Sequence, residues 1–116
     1  MPHRPEKLLL DMANAGKAIE SFVAGRTRDD YDNDLMLRSA VEPQFEILGE
    51  ALRRLTILDP TITAAISEHR RIIAFRNIIA HGYDTLDGDV VWQAVTEKLP
   101  VLLHEIDMLI VRSGGD

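Results

Sequence analysis

Between Leu37 and Leu55 the apolar residues recur every three or four positions: Leu37, Val41, Phe45, Leu48, Leu52 and Leu55. At about 100° per residue that spacing draws one continuous stripe down a helix, whereas a strand would scatter the same residues over both of its faces. Met36, Ala40, Ile47 and Ala51 form a second stripe beside the first. Two stripes on one helix require two packing partners, such as the rest of a bundle on one side and a second subunit on the other. The helix is expected to be the longest in the chain, from about Asp34 to Leu58, with Asn33 or Asp32 as its N-cap. Pro43 removes a backbone donor and predicts a kink, and Gly49 allows a close neighbour. Glu46, Glu50 and Arg38 are its notable ionisable groups, and a solvated face is the simplest account of them.

The remaining segments obey the same period. Leu8, Met12, Ala15, Ile19 and Phe22, widened by Leu9 and Val23, predict a first helix from about Lys7 to Ala24, ended by Gly25. The charged run RTRDDYDND is expected to be a loop between helices. Asp59-Pro60 breaks the chain, and Thr61 to Ile66 predict a short helical turn. Ile72, Phe75, Ile78 and Ile79 then give a helix over 68–82, stopped by Gly82. DTLDGD is a loop whose Asp87 or Asp89 caps a last helix from near Val90. Val91, Val95, Leu99, Leu102, Ile106 and Leu109 keep one stripe in phase across Pro100, so a kink or a one-residue break is expected there. Trp92 is a core candidate, and residues 1–6 and 112–116 are expected to be flexible. No stretch alternates as a strand does. The expected fold is a single all-α domain over 1–116, an up-and-down bundle of four main helices.

A chain of 116 residues supports one core and not two. It has no cysteine, which excludes disulfides and thiolate metal sites and accords with a cytoplasmic location. No apolar run is long enough to span a bilayer, and MPHRPEK lacks the apolar core of a signal peptide. The net charge of −6 argues against a generic nucleic-acid coat protein. Charge is nonetheless clustered. Arg53 and Arg54, and His69 to Arg71 with Arg76, form basic groups able to hold a short RNA or an acidic partner. Arg53, Arg70 and Arg71, with Glu50 beside them, are therefore candidate RNA or partner contacts.

The densest chemistry lies in RNIIAHGY, Arg76 to Tyr83. Asn77 and His81 are four apart and share a helix face. Arg76 stands about 140° from His81, but its long arm can reach across. Tyr83 lies beyond the glycine, where the chain is free to turn it back. Histidine, with an ordinary pKa of about 6.5, can take or give a proton near neutrality. Arginine offers a planar fork to phosphate oxygens, and asparagine can orient a hydroxyl or the imidazole. These groups suit phosphodiester cleavage without a metal. A purely structural histidine, with Arg76 paired to a carboxylate, would use the same residue types.

RNIIAHGY resembles the R-x-x-x-x-H-x-Y motif of the HEPN superfamily, specifically the HepT-like toxins. RSAVEPQFEILGEALRRL (Arg38 to Leu55) resembles the second helix of that family and VVWQAVTEKLPVLLHEI (Val90 to Ile106) its last, although Pro43 stands where a helix-sustaining residue is expected. The resemblance implies a metal-independent endoribonuclease, the toxin of a toxin–antitoxin pair, with no cofactor and with RNA as substrate. It implies His81 as general acid/base, Arg76 stabilising charge on the phosphorane and Asn77 positioning the groups. Tyr83 matches the motif tyrosine, which in the family can receive AMP from a minimal nucleotidyltransferase antitoxin. It also implies a homodimer whose two motifs line a shared groove. A different reading is a non-catalytic nucleotide- or partner-binding helical module that works with a nucleotidyltransferase, and a third is a structural helical subunit. A metal site from His69, His81, Asp84 and Asp87 matches no standard ligand spacing. Ser67 near His69 does not make a triad, since short sequence distance is not triad geometry. There is no glycine-rich phosphate loop, and the last helix lacks the lysines and arginines of a membrane-surface helix.

Overall fold

Local sequence signals, more than long-range ones, set where each helix begins. A computed structural model describes residues 4–67, 69–80 and 88–114, with side chains described for 4–67, 69–74 and 90–112. Helix α1 (Pro5–Val23) starts on a proline, whose fixed φ and missing N–H suit the first turn. It stops where Gly25 takes φ 73°, a left-handed conformation that glycine adopts without a Cβ clash. Helix α2 (Arg28–Asn33) occupies the charged run expected to be a loop. Thr27 explains it. Its hydroxyl accepts from the Asp30 N–H at 3.1 Å, and the Asp30 carboxylate accepts from the Thr27 N–H at 2.9 Å. This reciprocal capping box outweighs the run of turn formers. Helix α3 (Leu35–Leu58) is capped by Asp34, one residue after the expected Asn33, with its carboxylate accepting from the Leu37 N–H. It continues through Pro43 as one assigned helix.

Asp59 caps the single turn α4 (Pro60–Thr63), within the short helical stretch foreseen there. Helix α5 (His69–Ala80) follows. The last arm is α6 (Gly88–Gln93), a π-helical turn (Ala94–Lys98) and α7 (Leu99–Gly114). The turn is the irregularity that stands just ahead of Pro100, where a kink or a one-residue break is expected. A proline ring clashes with the carbonyl four residues back, and a wider turn just ahead of it relieves that clash while the Leu99 N–H bonds the Ala94 carbonyl. Among the described residues there is no strand, and no helix is long and apolar enough to cross a membrane.

Helix α1 packs along α3 and α7, and α3 carries α5 on another side, so four helical arms form an all-α bundle. Every residue of the main α3 stripe is buried, as are Met12 and Ile19 of α1 and Leu99 and Ile106 of α7. Phe22, expected in the α1 stripe, is 37% exposed, in the last turn of that helix. The second α3 stripe divides: Ala51 is buried, while Met36 and Ile47 are exposed. Helices α1 and α7 approach closely at Gly16, where a Cβ would stand 2.5 Å from Leu103 Cδ2 and 3.3 Å from Leu99 Cδ1.

Polar groups lock the corner between α2 and α3. Arg38 Nη1 donates to the carbonyls of Tyr31 and Asp32, satisfying the C-terminal end of α2, so it is a cap and not part of a solvated face. The buried Tyr31 hydroxyl donates to Glu42 Oε2 at 3.1 Å, and its ring packs on Trp92 with centroids 6.0 Å apart. Trp92 is thus half-buried against the core, as its sequence position suggested. Burial, with Glu42 next in size, pushes the Tyr31 phenol well above its ordinary value.

Two outcomes follow from this packing. Gly16→Val should overpack the α1–α7 contact and cost about 1–3 kcal/mol in chemical unfolding, with Gly16→Ala milder because the Leu103 tip can give way. The unfolded chain ionises a tyrosine near pH 10 while folded Tyr31 keeps its proton, so N binds more protons than U and stability must fall as pH rises above about 10. Tyr31→Phe should lose part of that alkaline decline, measured as unfolding midpoints at pH 8 and pH 11.

Candidate active site

Helix α5 exists because Ile72 and Ile73 lie half-buried against the core, giving a short helix with few propensity advantages a surface to rest on. It packs on α3. A second tether holds its beginning. Ser67 donates its N–H to both oxygens of Glu105, at 3.1 and 3.2 Å, and its hydroxyl to Oε2 at 2.6 Å. Glu105 belongs to α7, so one carboxylate pins the start of α5 to the last arm. Its negative charge also stands at the end of α5 where the helix dipole is positive.

This geometry disposes of a Ser67–His69 nucleophilic pair. The serine hydroxyl is committed to Glu105, and His69 Nδ1 lies 3.3 Å from the Ile66 carbonyl, to which it donates. Neither contact gives a histidine base on a serine. Among the described residues no three His, Asp or Glu side chains could hold a metal ion.

Arg76 and Asn77 sit on the second half of α5, whose last residue is Ala80. Their side chains, together with His81 and Tyr83, lie outside the described residues, as does the stop expected at Gly82. The backbone of α5 therefore carries Arg76 and Asn77 one turn ahead of the point where the chain reaches His81.

The other candidate contacts divide into two groups. Arg70 and Arg71 are exposed on α5 itself, and Arg71 lines a cleft against α3 and the last arm. Glu50, Arg53 and Arg54 are bound to each other on α3. Arg53 Nε and Nη2 donate to Glu50 Oε1 and Oε2 at 3.0 and 2.8 Å, and Arg54 Nε donates to Oε2 at 3.0 Å. The Glu50 carboxylate, through its hydrogen bond and then its charge, raises the Arg53 pKa further. Glu50 and Arg54 line a groove with Leu8 and Asp11 of α1. Rotation along α3 sets Glu50 about 160° from Leu48, which lines the α5 side. Within one chain, then, the Arg70–Arg71 pair shares the motif helix while the Glu50 cluster faces elsewhere.

Sequence reasoning did not single out Glu105, Gln93 or Lys98. Glu105 reads as an ordinary solvated carboxylate until the fold brings Ser67, 38 residues away, beside it. Gln93 and Lys98 reach one cleft through the π-helical turn, and Pro100 was the available sign that this helix would not be regular.

Comparison with known proteins adds the family. The sequence matches the family described as "Ribonuclease HepT-like" over residues 12–109, a span that takes in α3, α5, the Arg76–Tyr83 run and most of the last arm. It is 26% identical over 101 residues to a protein of Methanocaldococcus jannaschii named "Putative RNase MJ1380", covering 87% of this chain and 92% of that one. It is 29% identical over 91 residues to "Gamma-glutamylcyclotransferase and putative RNase MJ0434" of the same organism, covering 76% of this chain and 39% of that longer one. No solved structure matches the chain. With its helical bundle and its RNIIAHGY run, the chain belongs to the HepT-like ribonuclease family of the HEPN superfamily, an assignment that makes it an enzyme of the endoribonuclease class.

Proposed function

We propose that the chain is a metal-independent endoribonuclease and the toxin of a toxin–antitoxin pair. The observation that carries this reading is the family match, which spans the whole of the Arg76–Tyr83 motif. The RNA 2′-hydroxyl attacks the adjacent phosphorus, the bond to the 5′-oxygen breaks, and a 2′,3′-cyclic phosphate is left. His81 moves the proton, Arg76 neutralises the charge that grows on the phosphorane oxygens, and Asn77 holds the reacting groups in place. No metal is called for, since the imidazole and guanidinium together supply proton transfer and charge stabilisation.

Tyr83 is the proposed point of control. A minimal nucleotidyltransferase antitoxin adds AMP to its hydroxyl, which places bulk and negative charge beside the cleft and repels RNA. The working unit is a homodimer. Met36, Ile47 and Ile57, exposed along α3, are the apolar surface that supports this, because a helix face of that composition is poorly matched to water.

Purified protein should cleave total RNA in EDTA and leave 2′,3′-cyclic ends, and His81→Ala should lose at least about a hundredfold in rate. Cleavage by neither protein, with Tyr83 shown unmodified by mass spectrometry, would give the binding-module reading the advantage. The dimer has its own check: sedimentation at micromolar concentration should show twice the chain mass, Met36→Asp combined with Ile47→Asp should return it to the monomer, and a monomeric parent would sink this part of the reading.

A further inference from the structure

An apolar cleft of about 180 Å³ opens between α3, α5 and the last arm. Phe45 and Leu48 of α3, Ile72 of α5, and Leu99 and Leu102 of α7 give it carbon walls. Its polar groups come from two other places. Arg71 lines it from the motif helix, and Gln93 and Lys98, the residue just before the π-helical turn and the last residue of that turn, line it from the last arm. In a regular α-helix Gln93 and Lys98 would point about 140° apart. A helix whose hydrogen bonds close over five residues turns less at each step, which brings the two round to the same opening. The irregular turn therefore does more than accommodate Pro100. It brings an amide and an ammonium group into the lining of one cleft that also includes a guanidinium.

Clefts for drug-sized ligands are usually about 300–1,000 Å³, so this one is small, of the order expected for a single flat ring system. An apolar slot with two cations and one amide at its rim matches the parts of a nucleotide. The ring enters the slot, its edge meets the Gln93 amide, which both donates and accepts, and the flanking phosphates meet Arg71 and Lys98. Position along α5 makes the ligand a strand. Arg71 and Ala80 are nine residues apart, about 13 Å along the helix axis, so a strand whose phosphate lies at the motif can place a base a few nucleotides away into the slot.

We propose that this cleft is a base-binding subsite for single-stranded RNA, in which one nucleotide at a fixed offset from the cleaved bond is seated and distinguished. The proposal rests on RNA being the ligand of the motif, but not on the chain cutting it. Gln93 confers preference among bases, Arg71 and Lys98 hold the strand without regard to sequence, and the carbon walls reward any ring that enters.

A short 2′-O-methyl oligoribonucleotide, which lacks the attacking hydroxyl, separates this proposal from the nuclease reading. It is made as a series with one abasic position at a time, and binding to the full chain is followed by fluorescence anisotropy. One position should matter, with loss of its base weakening binding about fivefold or more and the others changing little. Ala94→Trp, which fills the cleft, should flatten the series. Lys98→Ala should weaken every member by a similar factor and reduce the dependence on salt. Gln93→Ala, at an exposed position, should keep the special position but erase the preference among bases placed there, and it decides the matter if circular dichroism shows that Ala94→Trp does not fold. A flat series for the parent would overturn the subsite, as would an unchanged series in a folded Ala94→Trp. Free AMP at micromolar concentration that abolished the special position would make the cleft a mononucleotide site and overturn the RNA assignment. If the series behaves as expected while cleavable RNA survives intact, the subsite stands and the nuclease reading falls.

Discussion

Everything in this bundle depends on the continuous burial of one face of α3. Leu37, Val41, Phe45, Leu48, Leu52 and Leu55 are all inside, and they meet α1 on one flank and α5 on another. Burying a side chain of this size is worth roughly 1.5–3 kcal/mol relative to leaving it in water. Among the described residues no other helix presents so long a buried row. Helix α5 is short, with Ile72 and Ile73 half-buried against the core, and its position follows from the α3 surface it packs on. The placement of the α5 backbone that carries Arg76 and Asn77 is thus a consequence of packing on α3.

Charged residues in the fold mainly set direction. Arg38 caps α2, Glu42 takes the Tyr31 hydroxyl and Glu105 holds Ser67, and each of these ties two helices that the apolar core alone would let slide. A hydrogen bond to a charged group contributes about 1.5–3 kcal/mol where it is shielded from water, and more to the point it has a defined geometry, which dispersion contacts lack. The Glu105 tether matters most for function, because it fixes the end of α5 from which the motif is reached. The exposed pairs, such as Lys7 with Asp11 and Lys17 with Asp107, contribute little by comparison.

The irregular segment in the last arm shows how a local constraint changes the lining of a cleft. Pro100 cannot donate and crowds the carbonyl four residues back, and the chain responds with a π-helical turn at Ala94–Lys98. That response redirects Gln93 and Lys98 toward a cleft shared with Arg71. A substitution that merely restored regular helix at this point would change how Gln93 and Lys98 are turned relative to each other.

Much of the architecture was legible beforehand because helix periodicity is local: the stripes of α1, α3 and the last arm each announce a helix and its buried face within a few turns. The family motif was legible for the same reason, as Arg76, Asn77, His81 and Tyr83 stand within eight consecutive residues. A local competition was decided the other way at Thr27–Asp30, where a capping box made α2 out of an expected loop, while the irregularity expected near Pro100 takes the form of a π-helical turn. By itself the sequence determined the all-α class, the helix that carries the motif and the residue types available for chemistry, since those depend on spacing and on functional groups. Tertiary structure alone decided that Glu105 holds the start of α5, that Arg53 and Arg54 share Glu50 away from the α5 side, and that Arg71, Gln93 and Lys98 meet at one cleft. Contacts between distant segments depend on how helices rotate and pack against each other, and no period along the chain encodes that rotation.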